Sequence, residues 1–341
     1  MPDPGRADDP GRILVIRLGA LGDFLLSLGP MAAIREAHPN ARITLLTTRP
    51  YARIGRDCGL FDDIMLDERP KLYDIRGILA LRRRLRDGGF SFVYDLQTSD
   101  RSGFYFRLFG RTRRPGWSGI VAAGSHPHRN PRRTRMHTIE RQADQLREAG
   151  LAEVPLSDLS FLQGDVSGLV PEGPLALLLP GGAPHRPDKR WPAANYAEIA
   201  CRLSARGITP VLIGTDAERE VIAQVTAACP AALSLMNRTD FGQIATLARR
   251  AVLTLGNDTG PMHLVTLAGG RALVLFSSSS DPALCGQRGA AVRHLSAPRL
   301  EDLPPAAVWE ALIAANGAGD GPPLSPTPAP SSPAACAGRS A

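Results

Sequence analysis

Apolar and polar positions along the chain alternate between short hydrophobic runs and longer stretches of helical period, and the alternation occurs twice. Ile13-Leu14-Val15-Ile16 is a run of the kind a buried parallel strand shows. The turn Arg17 to Asp23 follows it, and then a helix is expected to about Ala37, where Pro39 stops it. Further strands are expected at 43–47, 64–66 and 90–96, with helices through Ile54, over about 75–85 and over 137–149. A Gly- and Pro-bearing stretch, 163–174, separates the halves. The alternation then restarts. Strands are expected at 175–179, 210–213, 233–236, 252–255 and 272–276, and helices at 193–205, 217–228, 241–250, 261–267 and 305–315. Two such sets predict an α/β protein with two doubly wound parallel-sheet domains, whose ligands bind at the carboxyl ends of the strands.

Composition narrows the class. The 341 residues are 43% hydrophobic and 21% charged, as in folded water-soluble proteins. The five cysteines are scattered and include no C-x-x-C pair, which favours a reducing compartment. A polar start, MPDPGRADDPGR, is not a signal peptide, and no apolar run is long enough to span a bilayer. The expected location is the cytoplasm, compatible with peripheral contact at the cytoplasmic face of the inner membrane. Residues 1–11 and the Gly/Pro/Ser/Ala-rich 317–341 are expected to be unstructured tails.

Charge is uneven. Residues 1–163 carry 26 Lys/Arg against 19 Asp/Glu, so the whole net charge of +7 lies there; the remainder has 14 of each. The excess is mainly arginine, clustered at Arg82 to Arg86, Arg111 to Arg114 and Arg129 to Arg135. Guanidinium forks suit phosphate and carboxylate oxygens. Solvated helix faces are the plainer explanation of any one cluster. The clusters are poor in aromatic residues, which argues against a nucleic-acid partner.

Three segments carry candidate chemistry. In Gly19-Ala20-Leu21-Gly22-Asp23 the glycines permit a sharp strand-to-helix turn, and Asp23 is either a helix cap or a carboxylate above a sheet edge. The turn has neither the G-x-G-x-x-G spacing of a dinucleotide site nor a P-loop lysine, so a dehydrogenase is disfavoured. Pro180 to Pro192 places Arg186, Lys189 and Arg190 at a strand's carboxyl end, and Trp191 is expected to pack against the domain body. In Gly256-Asn257-Asp258-Thr259-Gly260-Pro261-Met262-His263, one of Asn257, Asp258 or Thr259 caps a helix whose N-terminus is a ready phosphate site. His263 is either structural or a hydrogen-bond donor to that phosphate. No metal site is expected at His126 and His128, which have no acidic partner close by in sequence.

These three segments, in this order, resemble glycosyltransferase family 9, the ADP-heptose:lipopolysaccharide heptosyltransferases, over about residues 12–315. The resemblance implies a GT-B fold, that is, two Rossmann-like domains facing a central cleft. Residues 12–165 would form the acceptor domain and 174–316 the donor domain, with no metal or cofactor. It implies inverting transfer of a sugar, a heptose by the family's habit, from a nucleotide diphosphate donor to an anionic glycolipid of the lipopolysaccharide-core or lipid A type. Asp23 would be the general base. Lys189, Asp258, Thr259, Gly260 and His263 would hold the donor, Glu218 its ribose, and Gly19, Gly22, Arg132 and Arg133 the acceptor. The chain departs from the family at Ser277 to Ser280, where glycine-proline-threonine is usual, and at Pro184 to Pro187. A nucleotide-sugar isomerase or epimerase of similar architecture is the alternative.

Overall fold

The computed structural model describes residues 11–182 and 186–316. Pro184, His185 and the two expected tails, apart from Gly11, lie outside the described residues. The first half runs β1 (Arg12–Ile16), α1 (Leu21–Leu26), α2 (Leu28–Ala37), β2 (Arg42–Thr47), α3 (Ala52–Asp57), β3 (Asp63–Leu66) and α4 (Ile75–Asp87). It continues with β4 (Phe92–Asp95), α5 (Asp100–Leu108), β5 (Gly116–Gly119), β6 (His126–Pro127) and α6 (Thr138–Glu148). The second half runs β7 (Leu175–Leu179), α7 (Ala193–Ser204), β8 (Thr209–Leu212), α8 (Arg219–Ala228), β9 (Leu233–Ser234) and α9 (Phe241–Arg250). It ends with β10 (Leu253–Asn257), α10 (Gly260–Leu267), β11 (Ala272–Phe276), α11 (Pro282–Cys285), β12 (Val292–Ser296) and α12 (Pro305–Asn316).

Both sheets have six strands, in the orders β3-β2-β1-β4-β5-β6 and β12-β11-β10-β7-β8-β9, and every pairing is parallel. Counted from its own first strand, each half has the same order. The chain therefore reverses its winding between β1 and β4 in the first sheet and between β7 and β10 in the second. Crevices open at such switch points, at the carboxyl edge. The central strands are apolar because helices cover both faces: all five residues of β7, β10 and β11 are buried, whereas edge strand β12 has no buried residue, only half-buried and exposed ones.

The largest buried apolar cluster is shared between the halves. It runs from Ile13, Val15 and Leu45 through Leu159 and Leu162 to Leu177, Met262 and Val274. Polar ties cross the same boundary. Arg249 donates to the carbonyls of Leu159 and Leu162 at 2.7 and 2.8 Å, Arg53 pairs with Asp240 at 3.2 Å, and Arg288 with Glu140 at 2.9 Å. The buried His137 caps α6 through Nδ1 and bonds the Gly286 carbonyl through Nε2 at 2.9 Å.

Candidate active site

The turn after β1 leads straight into the cleft. Gly19 has φ +124°, a left-handed value that L side chains rarely adopt, and a Cβ there would overlap the Tyr51 ring. Asp23 sits in the first turn of α1 without capping it; the N-cap is Ala20. Its carboxylate is half exposed and stands 3.4 Å from Nη2 of Arg17, which is buried and also donates to the Leu96 carbonyl at 2.5 Å. Burial pulls the Arg17 guanidinium below its usual pKa, although Asp23 and Asp95 favour its charge. Asp95, at the end of β4, is fully buried, and that burial pushes its carboxyl up to about 6.

Beside Asp23 lies a polar cleft of ≈ 160 Å³, lined by Arg17, Gln97, Arg133, Arg141, Gln142 and Gln145 among others. Three guanidiniums and one carboxylate make it a receptor for an anion. Of the four residues assigned to the acceptor, Arg133 lines this cleft; Arg132 is exposed and outside the lining, and Gly19 and Gly22 shape the turn without lining it. Arg17, Arg141 and the three glutamines of the lining were not singled out from the sequence. One signal for them existed: Arg141, Gln142 and Gln145 fall on one face of α6, and Gln142 and Gln145 occupy buried positions.

His128 requires a correction. The absence of an acid nearby in sequence suggested that it had no partner, yet the fold brings Asp144 to 2.8 Å from its Nε2. Glu148 completes a group of three potential ligands. These groups are otherwise engaged: Asn130 and Arg147 bond Asp144, the Arg129 amide bonds Glu148, and Arg133 Nε donates to His128 Nδ1 at 3.3 Å. Separation in sequence concealed a cluster that holds the Arg133 loop against α6.

Across the cleft, Asn257 is the last residue of β10 and does not cap α10; Thr259 is the N-cap, with no side-chain bond to the turn. Asn257 uses its whole amide. It donates to the Pro180 and Gly181 carbonyls and accepts from the Trp191 amide and the Tyr196 hydroxyl. Four bonds thus tie both ends of the loop after β7, and Tyr196 of α7, to the end of β10. Trp191 is buried in the domain body, as expected, and donates to the Leu303 carbonyl. Lys189, in the short 3-10 turn Pro187–Lys189, reaches Asp258 at 2.7 Å, and Gln287 donates to the other Asp258 oxygen at 3.1 Å. Burial alone would raise the Asp258 carboxyl, but Lys189 outweighs it and holds the carboxyl below its ordinary pKa. Glu218 accepts twice from Thr215 through Oε2, while Oε1 faces Gly181 in the loop after β7.

The two halves meet at α1 and α10. A Cβ on Gly22 would lie 2.5 Å from Cδ2 of His263, and one on Gly260 3.0 Å from Leu21 Cβ, so the helix starts abut because both positions are glycine. His263 is buried in this seam. Burial lowers its pKa to about 4 against the opposing pull of Asp258 and Asp23, with His137 and His294 lowering it further. The imidazole is therefore neutral at physiological pH, with carboxylates from both sheets acting on it.

This shift predicts a stability profile. Between about pH 4 and 6.5 the unfolded chain binds a proton at His263 that the folded chain does not. The residue's contribution is full above pH 6.5 and is lost as the pH falls through 4, on the order of 3 kcal/mol in all. Asp95 acts oppositely, binding its proton more tightly when folded, so its contribution declines as the pH rises from about 4 to 6. Denaturant midpoints measured from pH 4 to 7 should show a flatter, or inverted, rise with pH for His263→Gln than for the unsubstituted chain. Parallel curves would contradict a buried neutral imidazole.

The sequence model described as glycosyltransferase family 9 (heptosyltransferase) matches residues 78–302. The chain belongs to glycosyltransferase family 9. The match begins after the Gly19–Asp23 turn, so the placing of Asp23 rests on the geometry above. Among curated relatives, the lipopolysaccharide core heptosyltransferase OpsX of Haemophilus influenzae is 23% identical over 79% of each chain. Lipopolysaccharide heptosyltransferase 2 of Escherichia coli is 25% identical over 80% of this chain and 84% of its own. A solved family 9 glycosyltransferase from Veillonella parvula superposes with a TM-score of 0.80 at 20% identity, over 93% of this chain and 100% of the other. E. coli heptosyltransferase WaaC with ADP gives 0.71 at 19%, over 89% and 99%. The fold is GT-B, as expected, and family membership favours a glycosyltransferase over the isomerase alternative. Among the described residues, no helix is long and apolar enough to cross a membrane.

Proposed function

We propose that the protein moves a sugar, a heptose on the pattern of its relatives, from a nucleotide diphosphate donor to an anionic glycolipid of the lipopolysaccharide-core type, with inversion. Residues 12–165 would receive the acceptor and 174–316 the donor. One observation carries the reading: where α1 and α10 abut at His263, the Asp23 carboxylate of the first half and the Asp258 carboxylate of the second, itself paired with Lys189 at 2.7 Å, both act electrostatically on that imidazole.

In this reaction the Asp23 carboxylate takes the proton of an acceptor hydroxyl. That oxygen attacks the anomeric carbon from the face opposite the diphosphate, the carbon–oxygen bond to phosphate breaks, and the nucleotide diphosphate leaves. Lys189 has three N–H donors and gives one to Asp258, which leaves two for phosphate oxygens. The start of α10 at Thr259 and Gly260 adds its dipole. The growing charge thus falls on Lys189 and a helix end, and no step is assigned to a metal. Glu218 Oε1 is the oxygen free to accept from a ribose hydroxyl, and the Arg17, Arg133 and Arg141 cleft receives the acceptor's acidic groups.

A panel of nucleotide sugars tests this. An ADP-linked heptose should raise the melting temperature most, because a ligand bound only to the native state stabilises it, by about 2.7 kcal/mol at a hundredfold excess over Kd. It should also be consumed with a glycolipid acceptor at a rate unchanged by EDTA. A larger thermal shift with a uridine-linked sugar would reject the donor assignment, and a product still joined to the nucleotide would reject transfer.

A further inference from the structure

Five large hydrophobic side chains are more than half exposed among the described residues, and four of them fall within eight positions: Leu72, Tyr73, Ile75 and Leu79, at 81, 77, 68 and 53%. Single exposed leucines need no explanation, but a contiguous group does. The group is held outward by ordered backbone. The Asp74 amide donates to the Lys71 carbonyl at 2.8 Å, Asp74 caps α4 through the Gly77 amide at 2.9 Å, and Arg101 donates to the Pro70 carbonyl at 3.3 Å. Helix α4 already covers its own core with Leu81 and Leu85. Ile75 and Leu79, four residues apart, form a second apolar stripe that stays more than half exposed.

Charge identifies what would cover it. Residues 69–87 hold seven Lys/Arg (Arg69, Lys71, Arg76, Arg82, Arg83, Arg84, Arg86) and two acids, Asp74 and Asp87, the second paired with Arg83 at 3.3 Å. The basic side chains continue the stripe, with Arg82 and Arg83 exposed one and two turns beyond Leu79 and Ile75, and Lys71 Nζ lies 5.5 Å from the Tyr73 ring centroid. Two copies of such a surface would repel each other. Nucleic acid would leave the aliphatic Leu72, Ile75 and Leu79 without stacking partners. A bilayer surface rich in anionic headgroups satisfies both components, with aliphatic side chains and a tyrosine in the interface and arginines among the phosphates.

We propose that Leu72, Tyr73, Ile75 and Leu79, with the arginines of α4, dock the protein on an anionic lipid surface. The patch follows β3, and all strands are parallel, so it lies at the same carboxyl edge as the Asp23 turn, two strands or about 10 Å along the sheet. Docking therefore brings the cleft edge to the membrane. Its purpose rests on the lipid-linked acceptor proposed above, but the test includes neither donor nor acceptor, so the two readings fail separately.

The full chain is co-sedimented with vesicles of phosphatidylcholine and phosphatidylglycerol, and with phosphatidylcholine alone. The expected result is salt-sensitive binding to the anionic vesicles only. Leu72→Glu/Ile75→Glu should lower partitioning at least tenfold, and Arg82→Gln/Arg83→Gln severalfold with a weaker salt dependence. Both variants should keep the melting temperature of the unsubstituted chain. Equal partitioning of Leu72→Glu/Ile75→Glu and the unsubstituted chain overturns the proposal. So does failure of the unsubstituted chain to bind anionic vesicles, retention by nucleic acid in their place, or a change from dimer to monomer in the variant with vesicle binding intact.

Discussion

Replacing Asp23 by Asn leaves the fold and donor affinity in place and cuts sugar transfer by roughly 10²–10⁴-fold, the usual weight of a general base. The amide is nearly isosteric, and its oxygen can still face Arg17 Nη2, 3.4 Å from the present carboxylate oxygen. With the side chain half exposed, stability should fall by less than about 1 kcal/mol. The nucleotide sugar should raise the melting temperature as much as before, because the phosphate site proposed for it is on the other sheet. A variant that transfers sugar at the unsubstituted rate would remove Asp23 from the mechanism, whereas one that loses donor binding as well would make it a ligand rather than a base.

Lys189→Ala should damage both stability and rate, for separable reasons. The Lys189 and Asp258 side chains are only 11 and 8% exposed, so deleting the ammonium leaves a buried carboxylate without its cation, though still bonded by Gln287. Breaking one side of such a pair costs about 3–5 kcal/mol. Transfer should drop by about 10²–10³-fold as the leaving diphosphate loses its cation. Adding Asp258→Asn tells the two effects apart: it removes the stranded charge, and stability should largely return while transfer stays low. Recovery of both would assign Lys189 a structural role only.

Much of the architecture could be read from hydrophobic periodicity, and the failures have physical causes. Strands β7 and β11, and β1 after Arg12, are uninterrupted apolar runs because helices cover both their faces. β5 went unseen because it is Gly-Trp-Ser-Gly, and β6 because it is two residues long; neither carries a periodic pattern. β12 is an edge strand with charged, exposed positions, so it reads as loop. The long helix expected after the first turn is two helices, α1 and α2, broken at Ser27.

In the site, the strand-end residues Asp23, Lys189 and Asp258 were legible because local sequence places them at the carboxyl edge. Their partners were not. Arg17 with Leu96, His128 with Asp144 and Gln287 with Asp258 are pairs joined only by the fold, up to 79 residues apart. Asn257 was legible as a polar residue at a helix start, but its four bonds to three other segments make it the fastener of the donor edge.

The apolar cluster shared by the two halves also sets a timetable for synthesis. Every strand of the first sheet has been made by residue 127, yet Leu45, Leu159 and their neighbours acquire partners such as Met262 and Val274 only when the second half is complete. At translation rates of about 5–20 residues per second, the roughly 140 residues that follow the linker take some 7–30 s to make. Throughout that interval the nascent first half presents an oily face to solvent. A single continuous core joins the enzyme's two halves, and on the ribosome it obliges the earlier half to wait, shielded by chaperones or at risk of aggregation, for the later one.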